Sequence, residues 1–110
     1  MIDWARVAEL RDEIGPEDFG EIAELFLMEV EDTLSQLDEA SSDPNRMQEL
    51  MHFLKGSALN LGFSALSDLC GKGEGDASEG KISVSATEVK TLYANSKTAF
   101  ESEYTSRFAA

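Results

Sequence analysis

The chain has 110 residues and a mass of 12.0 kDa, which fits one domain over residues 1–110 on a scale of roughly 100 to 200 residues per domain. Nine basic residues against 22 acidic ones give a net charge of -13. Such a charge repels phosphate backbones and anionic lipid, so neither nucleic acid nor a membrane surface is an expected partner. The single cysteine, Cys70, excludes an internal disulfide, and with a lone histidine, His52, it cannot build a closed Cys/His zinc site.

A chain of this length hides roughly two-thirds of its unfolded surface, enough for one core without staples. No apolar run approaches the roughly 18 residues of a membrane span, and the start, Met1-Ile2-Asp3-Trp4, lacks the segments of a signal peptide. A cytoplasmic protein is expected, and self-repulsion of so acidic a surface favours a monomer. The charge is uneven. Residues 1–43 hold 14 acids and two bases, residues 64–110 hold seven and five, and the segment between has only Arg46 and Lys55 against Glu49.

Helical spacing runs through the chain. Ile2, Val7, Leu10 and Ile14 predict a short first helix capped by Asp3 and ended at Gly15-Pro16, with the proline in the first turn of the next helix. Phe19, Ile22, Ala23, Phe26, Val30, Leu34 and Leu37 then advance by threes and fours, predicting an amphipathic helix of about 23 residues. Asp43 and Pro44 open a third helix with Met47, Leu50, Met51, Leu54, Ala58 and Leu61 inward and Gly62 as its C-cap. Ser64 is expected to cap a fourth, bearing Leu66, Leu69 and Cys70. Gly71, Gly73, Gly75 and Gly80 each cost a helix about 1 kcal/mol against alanine, so this helix is expected to fray into a loop by about residue 76. Ser85 and Glu88 form a capping box for a last helix striped by Val89, Leu92, Tyr93, Ser96, Phe100, Tyr104 and Phe108. Short connections between long helices imply an all-α fold, an antiparallel four-helix bundle with a short additional N-terminal helix.

Two motifs fail. Gly75 to Lys81 has the glycine and lysine spacing of a phosphate-binding loop, but Ile82 stands where the magnesium-binding hydroxyl belongs and no strand precedes it. As a calcium loop the same stretch lacks its closing glutamate. The acidic run from Glu17 to Asp32 reads as a solvated helix face, and Cys70 as a small buried apolar residue.

The third helix is more informative. At about 100° per residue from Met47, the apolar stripe centres near 340°, whereas His52 falls near 140°, Gly56 near 180° and Leu59 near 120°. The histidine therefore points away from the core. Gln48, Glu49, Lys55 and Gly56 are its helical neighbours. A mid-helix glycine and an outward leucine are costly on a solvated face. An exposed histidine without a role is the plain reading. The sharper one is that Gly56 removes a side chain so that another macromolecule reaches the imidazole, Leu59 helps it dock, and Lys55 offers positive charge to an anionic group bonded to the ring. That geometry points to a phosphorylated histidine.

The run His52-Phe53-Leu54-Lys55-Gly56-Ser57-Ala58, followed by Leu61-Gly62, Leu66 and Cys70, closely resembles the signature of histidine-containing phosphotransfer (HPt) domains of bacterial two-component phosphorelays. The dense match spans about residues 47 to 70 and thins after Cys70, where Gly73 precedes Glu74. The resemblance implies that His52 accepts the phosphoryl group, Lys55 contacts it and Gly56 keeps access open. It also implies response-regulator receiver domains, or a sensor histidine kinase, as partners. The chain offers no nucleotide-binding loop and no marked magnesium cluster, so it is expected to be a phosphocarrier without cofactor of its own, the magnesium belonging to the receiver. The ring nitrogen farther from the backbone is the expected nucleophile, with Gln48 or Glu49 orienting the other and Leu59, Gln48 and Gly56 meeting the partner. Two alternatives stay open: a receiver- or kinase-binding module that is never phosphorylated, and the detached substrate domain of a chemotaxis-type kinase. A start at Met1 favours the stand-alone carrier.

Overall fold

Apolar residues at helical spacing produce five helices among residues 1–108, the part of the chain that the computed structural model describes: α1 (Trp4–Ile14), α2 (Phe19–Leu34), α3 (Pro44–Leu61), α4 (Ser64–Ser78) and α5 (Ala86–Phe108). Ala109 and Ala110, the end of the expected domain, lie outside the described residues. Helix α2 packs on α3 and α5, α4 packs on α3 and α5, and α1 lies across α2 and α3. Neighbours run antiparallel: rising positions on α3 meet falling ones on α4 (Met51 with Gly73, Lys55 with Gly71), and Phe19 and Glu31 of α2 meet Tyr104 and Tyr93 of α5. The bundle with its extra N-terminal helix is thus the fold, drawn out to 48 × 19 × 19 Å. No helix among the described residues is long and apolar enough to cross a membrane.

Three caps form where side-chain acceptors face free amides. The carboxylates of Asp3 and Asp43 each accept from the N–H three residues on, at 3.2 Å, and Ser85 and Glu88 bond reciprocally at 3.1 and 3.3 Å. Gly62 ends α3 with φ 79°, a left-handed conformation that favours glycine, and a Cβ there would stand 2.7 Å from the Asp3 carbonyl oxygen. The N-terminal segment is held at this point, with the Asp3 N–H donating to the Gly62 carbonyl at 2.6 Å.

The structure corrects four expected features. Pro16 sits in a turn, not in a helix: the amides of Asp18 and Phe19 both bond back to the Gly15 carbonyl, and α2 opens only at Phe19. Helix α2 stops at Leu34 because the Ser35 hydroxyl and Gln36 amide take the Asp32 carbonyl, and the chain tightens into turns bonded three residues back. Those turns still deliver Leu37 and Ala40 to the core, while Ile22 and Phe26 are only half-buried and Leu27 is buried in their stead. Ser64 is not a cap; it is the first residue of α4 after Phe63, and its hydroxyl donates to the Met1 carbonyl at 3.0 Å.

The last correction positions the site. Helix α4 does not fray at its glycines but stays regular through Ser78. A Cβ at Gly73 would lie 3.1 Å from the Met51 sulfur, and one at Gly71 would lie 3.3 Å from the Lys55 stem. The glycines let α4 approach α3 closely, and the contact offsets their poor helix propensity. The Ser67 hydroxyl adds a hydrogen bond to the Lys55 carbonyl at 3.2 Å. At the far end, Phe100 is surrounded by Trp4, Phe19, Phe63 and Tyr104 with ring centroids 5.5 to 6.5 Å away.

Candidate functional site

Helix α3 divides as its period requires. Met47, Leu50, Met51, Leu54, Ala58 and Leu61 are buried, and the His52 side chain on the opposite face is 70% exposed. Gly56, one turn on, has nothing within 4 Å of where a Cβ would stand. Its bareness answers no demand of this chain's packing. Leu59, 61% exposed, continues the same face, and Phe53, next to His52 in sequence, is also exposed. The outward placement of His52, Gly56 and Leu59 is the one read from the sequence.

A residue that the sequence reading passed over completes the arrangement. Glu74 reaches across from α4 and bonds twice: Oε2 lies 2.6 Å from His52 Nδ1, and Oε1 lies 2.6 Å from Lys55 Nζ. Neither Gln48 nor Glu49 orients the ring, contrary to expectation. Gln48 lines a shallow groove with Asn45, Glu49, His52 and Glu74, and Glu49 is paired with Arg46 at 3.0 Å. Both project from α3 itself beside the ring, whereas the residue that meets Nδ1 comes from the adjacent helix. The available signal was the glycine spacing of α4, since Gly71 and Gly73 bring that helix close enough for Glu74 to span the gap.

Electrostatics follow from the contacts. The Lys55 ammonium holds the Glu74 carboxyl below the usual carboxylate range, with a further contribution from His52, against an upward push from partial burial. An ionised carboxylate only accepts, so the imidazole nitrogen facing it donates. The neutral ring then carries its proton on Nδ1 and its lone pair on Nε2, on the far side of the ring from Glu74. The assembly can present a nucleophilic nitrogen to an incoming electrophile, with a cation, Lys55, close by. Cys70 is fully buried and its thiol is pushed up to about 12 by burial, so it contributes no nucleophile. No group of three or more His, Cys, Asp or Glu side chains among the described residues is arranged to hold a metal ion.

Comparison with known proteins gives a family match and a curated relative. Residues 21–101 match the family model described as the Hpt domain. The chain is 35% identical over 77 residues to the phosphorelay intermediate protein YPD1 of Candida albicans, an alignment covering 64% of this chain and 40% of that protein. The match thus spans about two-fifths of the relative's length. That relative comes from a yeast, so the bacterial setting attached to the motif is not what the comparison shows. No solved structure matches the chain.

Proposed function

Because the chain belongs to the Hpt domain family, we propose that it is a phosphorelay intermediate in which His52 accepts a phosphoryl group from a phospho-aspartyl receiver domain and passes it to another. The observation that carries this reading is the outward imidazole whose Nδ1 is held by a carboxylate, one helical turn from the bare Gly56. Nε2 attacks phosphorus in line. As the N–P bond forms, the bond from phosphorus to the acyl oxygen breaks and its electron pair returns to the donor's aspartate. Positioning and charge stabilisation carry most of such a transfer, so the carrier needs little beyond its nucleophile. Lys55 contacts the phosphoryl oxygens, and the receiver supplies the magnesium. The exposed Leu59 and Phe53 and the groove residue Gln48 meet the receiver or a sensor kinase, and the domain works in the cytoplasm as a monomer. Acyl phosphate and phosphoramidate are both high-energy donors, so the step runs in either direction.

The test is transfer of label from a phosphorylated receiver. The parent protein takes up phosphate and His52→Gln takes up none while its circular dichroism is unchanged. Labelling of that variant would overturn the assignment. Binding to receivers with no labelling of the parent, and with affinity indifferent to His52, would make the domain a docking module instead.

A further inference from the structure

Side chains that pack α2 against α5 leave a furrow between the two helices. Phe19, Ala23 and Leu27 of α2 with Phe100 and Tyr104 of α5 form an apolar floor beneath a groove of about 190 Å³. Gly20 lies at its edge with nothing within 4 Å of where a Cβ would stand, so the missing side chain leaves that end open. A second hollow shares Glu24, Leu27 and Glu101 with the first and continues it to Glu31 and Lys97. From Phe19 to Glu31 the helix rises about 18 Å, or about three turns. Met28 stands 63% exposed at the mouth of this furrow. We infer that the α2–α5 groove is a docking surface for a basic amphipathic helix, separate from the face that bears His52.

Charge selects the occupant. Glu24 and Glu101 stand exposed on the two lips, one from each helix, and neither joins an ion pair among the described residues. The base along this furrow, Lys97, is held by Glu31 at 2.9 Å. The lip carboxylates are thus uncompensated on a chain of net charge -13. A second copy would bring the same carboxylates against them, and nucleic acid or anionic lipid would bring phosphates, so each is repelled, whereas lysines or arginines are attracted. Shape selects a helix. The backbone groups within α2 and α5 are bonded along their own helices, so an extended segment finds no ladder to join, while a helix satisfies its own backbone and lays an apolar stripe into the furrow with its basic flanks on the lips. Because α2 and α4 each pack on both α3 and α5, the α2–α5 side lies across the bundle from the α3–α4 pair that brings His52 and Glu74 together. An occupant of the groove leaves the imidazole exposed, so one partner is held here while another meets His52. This surface does not depend on whether His52 is phosphorylated.

The probe is a synthetic peptide of about 14 residues, or about four turns, with leucines on one helical face and lysines on the rest. A shuffled peptide of the same composition spreads the leucines around the helix at unchanged charge, and a third peptide replaces lysine by glutamate. Each is titrated into the full chain while its backbone amides are followed by NMR. The amphipathic basic peptide is expected to saturate, with the largest shifts along residues 20–31 and 97–104 and none at His52. The shuffled peptide should bind at least about ten-fold more weakly and the acidic one not at all, which separates docking from plain attraction to an acidic chain. Gly20→Gln puts a neutral side chain at the open edge, and Glu24→Lys with Glu101→Lys reverses the lips. Each change should weaken binding at least about ten-fold with circular dichroism unchanged, whereas Glu79→Gln, beyond α4, should leave it unaltered. No saturable binding, equal binding of the shuffled peptide, shifts spread over the acidic surface or gathered at His52, or full affinity in Gly20→Gln would overturn the inference. Self-association of the chain through the same amides would also overturn it, by making a second copy the occupant.

Discussion

Gly56 is the residue whose cost is plainest and for which no packing contact among the described residues gives a reason. Leucine at this exposed mid-helix position should stabilise the fold by about 0.5–1 kcal/mol, because glycine is the poorer helix former and no neighbour stands within 4 Å of the new Cβ. The same side chain would stand beside the imidazole. Gly56→Leu is therefore expected to raise the melting temperature and to cut transfer from a phosphorylated receiver by at least about ten-fold, the equivalent of about 1.4 kcal/mol. Undiminished transfer would remove the access argument and leave Gly56 unexplained. At this scale, the outward direction of His52 and Leu59 and the proximity of Lys55 were legible before any coordinates, since one helical period fixes them. Glu74 was not, because its role depends on a neighbouring helix's distance and direction of approach.

The glycines of α4 separate two physical effects that composition alone merges. Gly75 has open space where its Cβ would be, so Gly75→Ala should gain up to about 1 kcal/mol of helix propensity, read as a higher midpoint in urea. Gly73 is buried against Met51, itself fully buried, and Gly73→Leu should cost about 1–3 kcal/mol through overpacking between α3 and α4. If both variants moved in the same direction, close helix approach would not be the reason for the glycines. This element was expected to fray because propensity is a local quantity, and here a tertiary contact overrides it. The opposite error occurred at α2, where a regular apolar pattern extends to Leu37 but the helix stops at Leu34. Core burial can be met by a turn as well as by a helix, so periodicity does not mark the end. Caps were read better: Asp3, Asp43 and the Ser85/Glu88 box act within three residues and need no tertiary information.

For the molecule as a whole, pH acts through a cluster tying α2 to α5. Glu31 accepts from the Tyr93 hydroxyl at 2.5 Å and from the Lys97 ammonium at 2.9 Å. The tyrosine hydrogen bond, then the lysine, hold the Glu31 carboxyl below its ordinary 4.5, while burial first and then Glu31 push the Tyr93 hydroxyl upward from 10.0. A carboxyl lowered on folding contributes stability that is complete above its unfolded value and is lost as pH falls through the folded one. A hydroxyl raised on folding contributes stability present below its unfolded value and lost as pH climbs past it. Glu31→Gln should therefore melt below the parent at neutral pH, with the gap closing as pH falls below about 4.5. Comparing parent with variant cancels most of the general charge effect of a -13 chain. A gap independent of pH would show that the ionised carboxylate is not what Glu31 contributes.

What the sequence determined by itself was governed by short range: the all-helical class, three of the caps, the inward stripe of α3, and the opposite face bearing His52, Gly56 and Leu59. These follow from a repeat of 3.6 residues and from hydrogen bonds three residues long. The tertiary structure alone decided that α4 survives its glycines. It also decided which carboxylate of the 22 acidic side chains faces the histidine. Each of these is settled by how closely two helices pack and in which register, a balance of contacts between residues some 20 positions apart that no local pattern encodes.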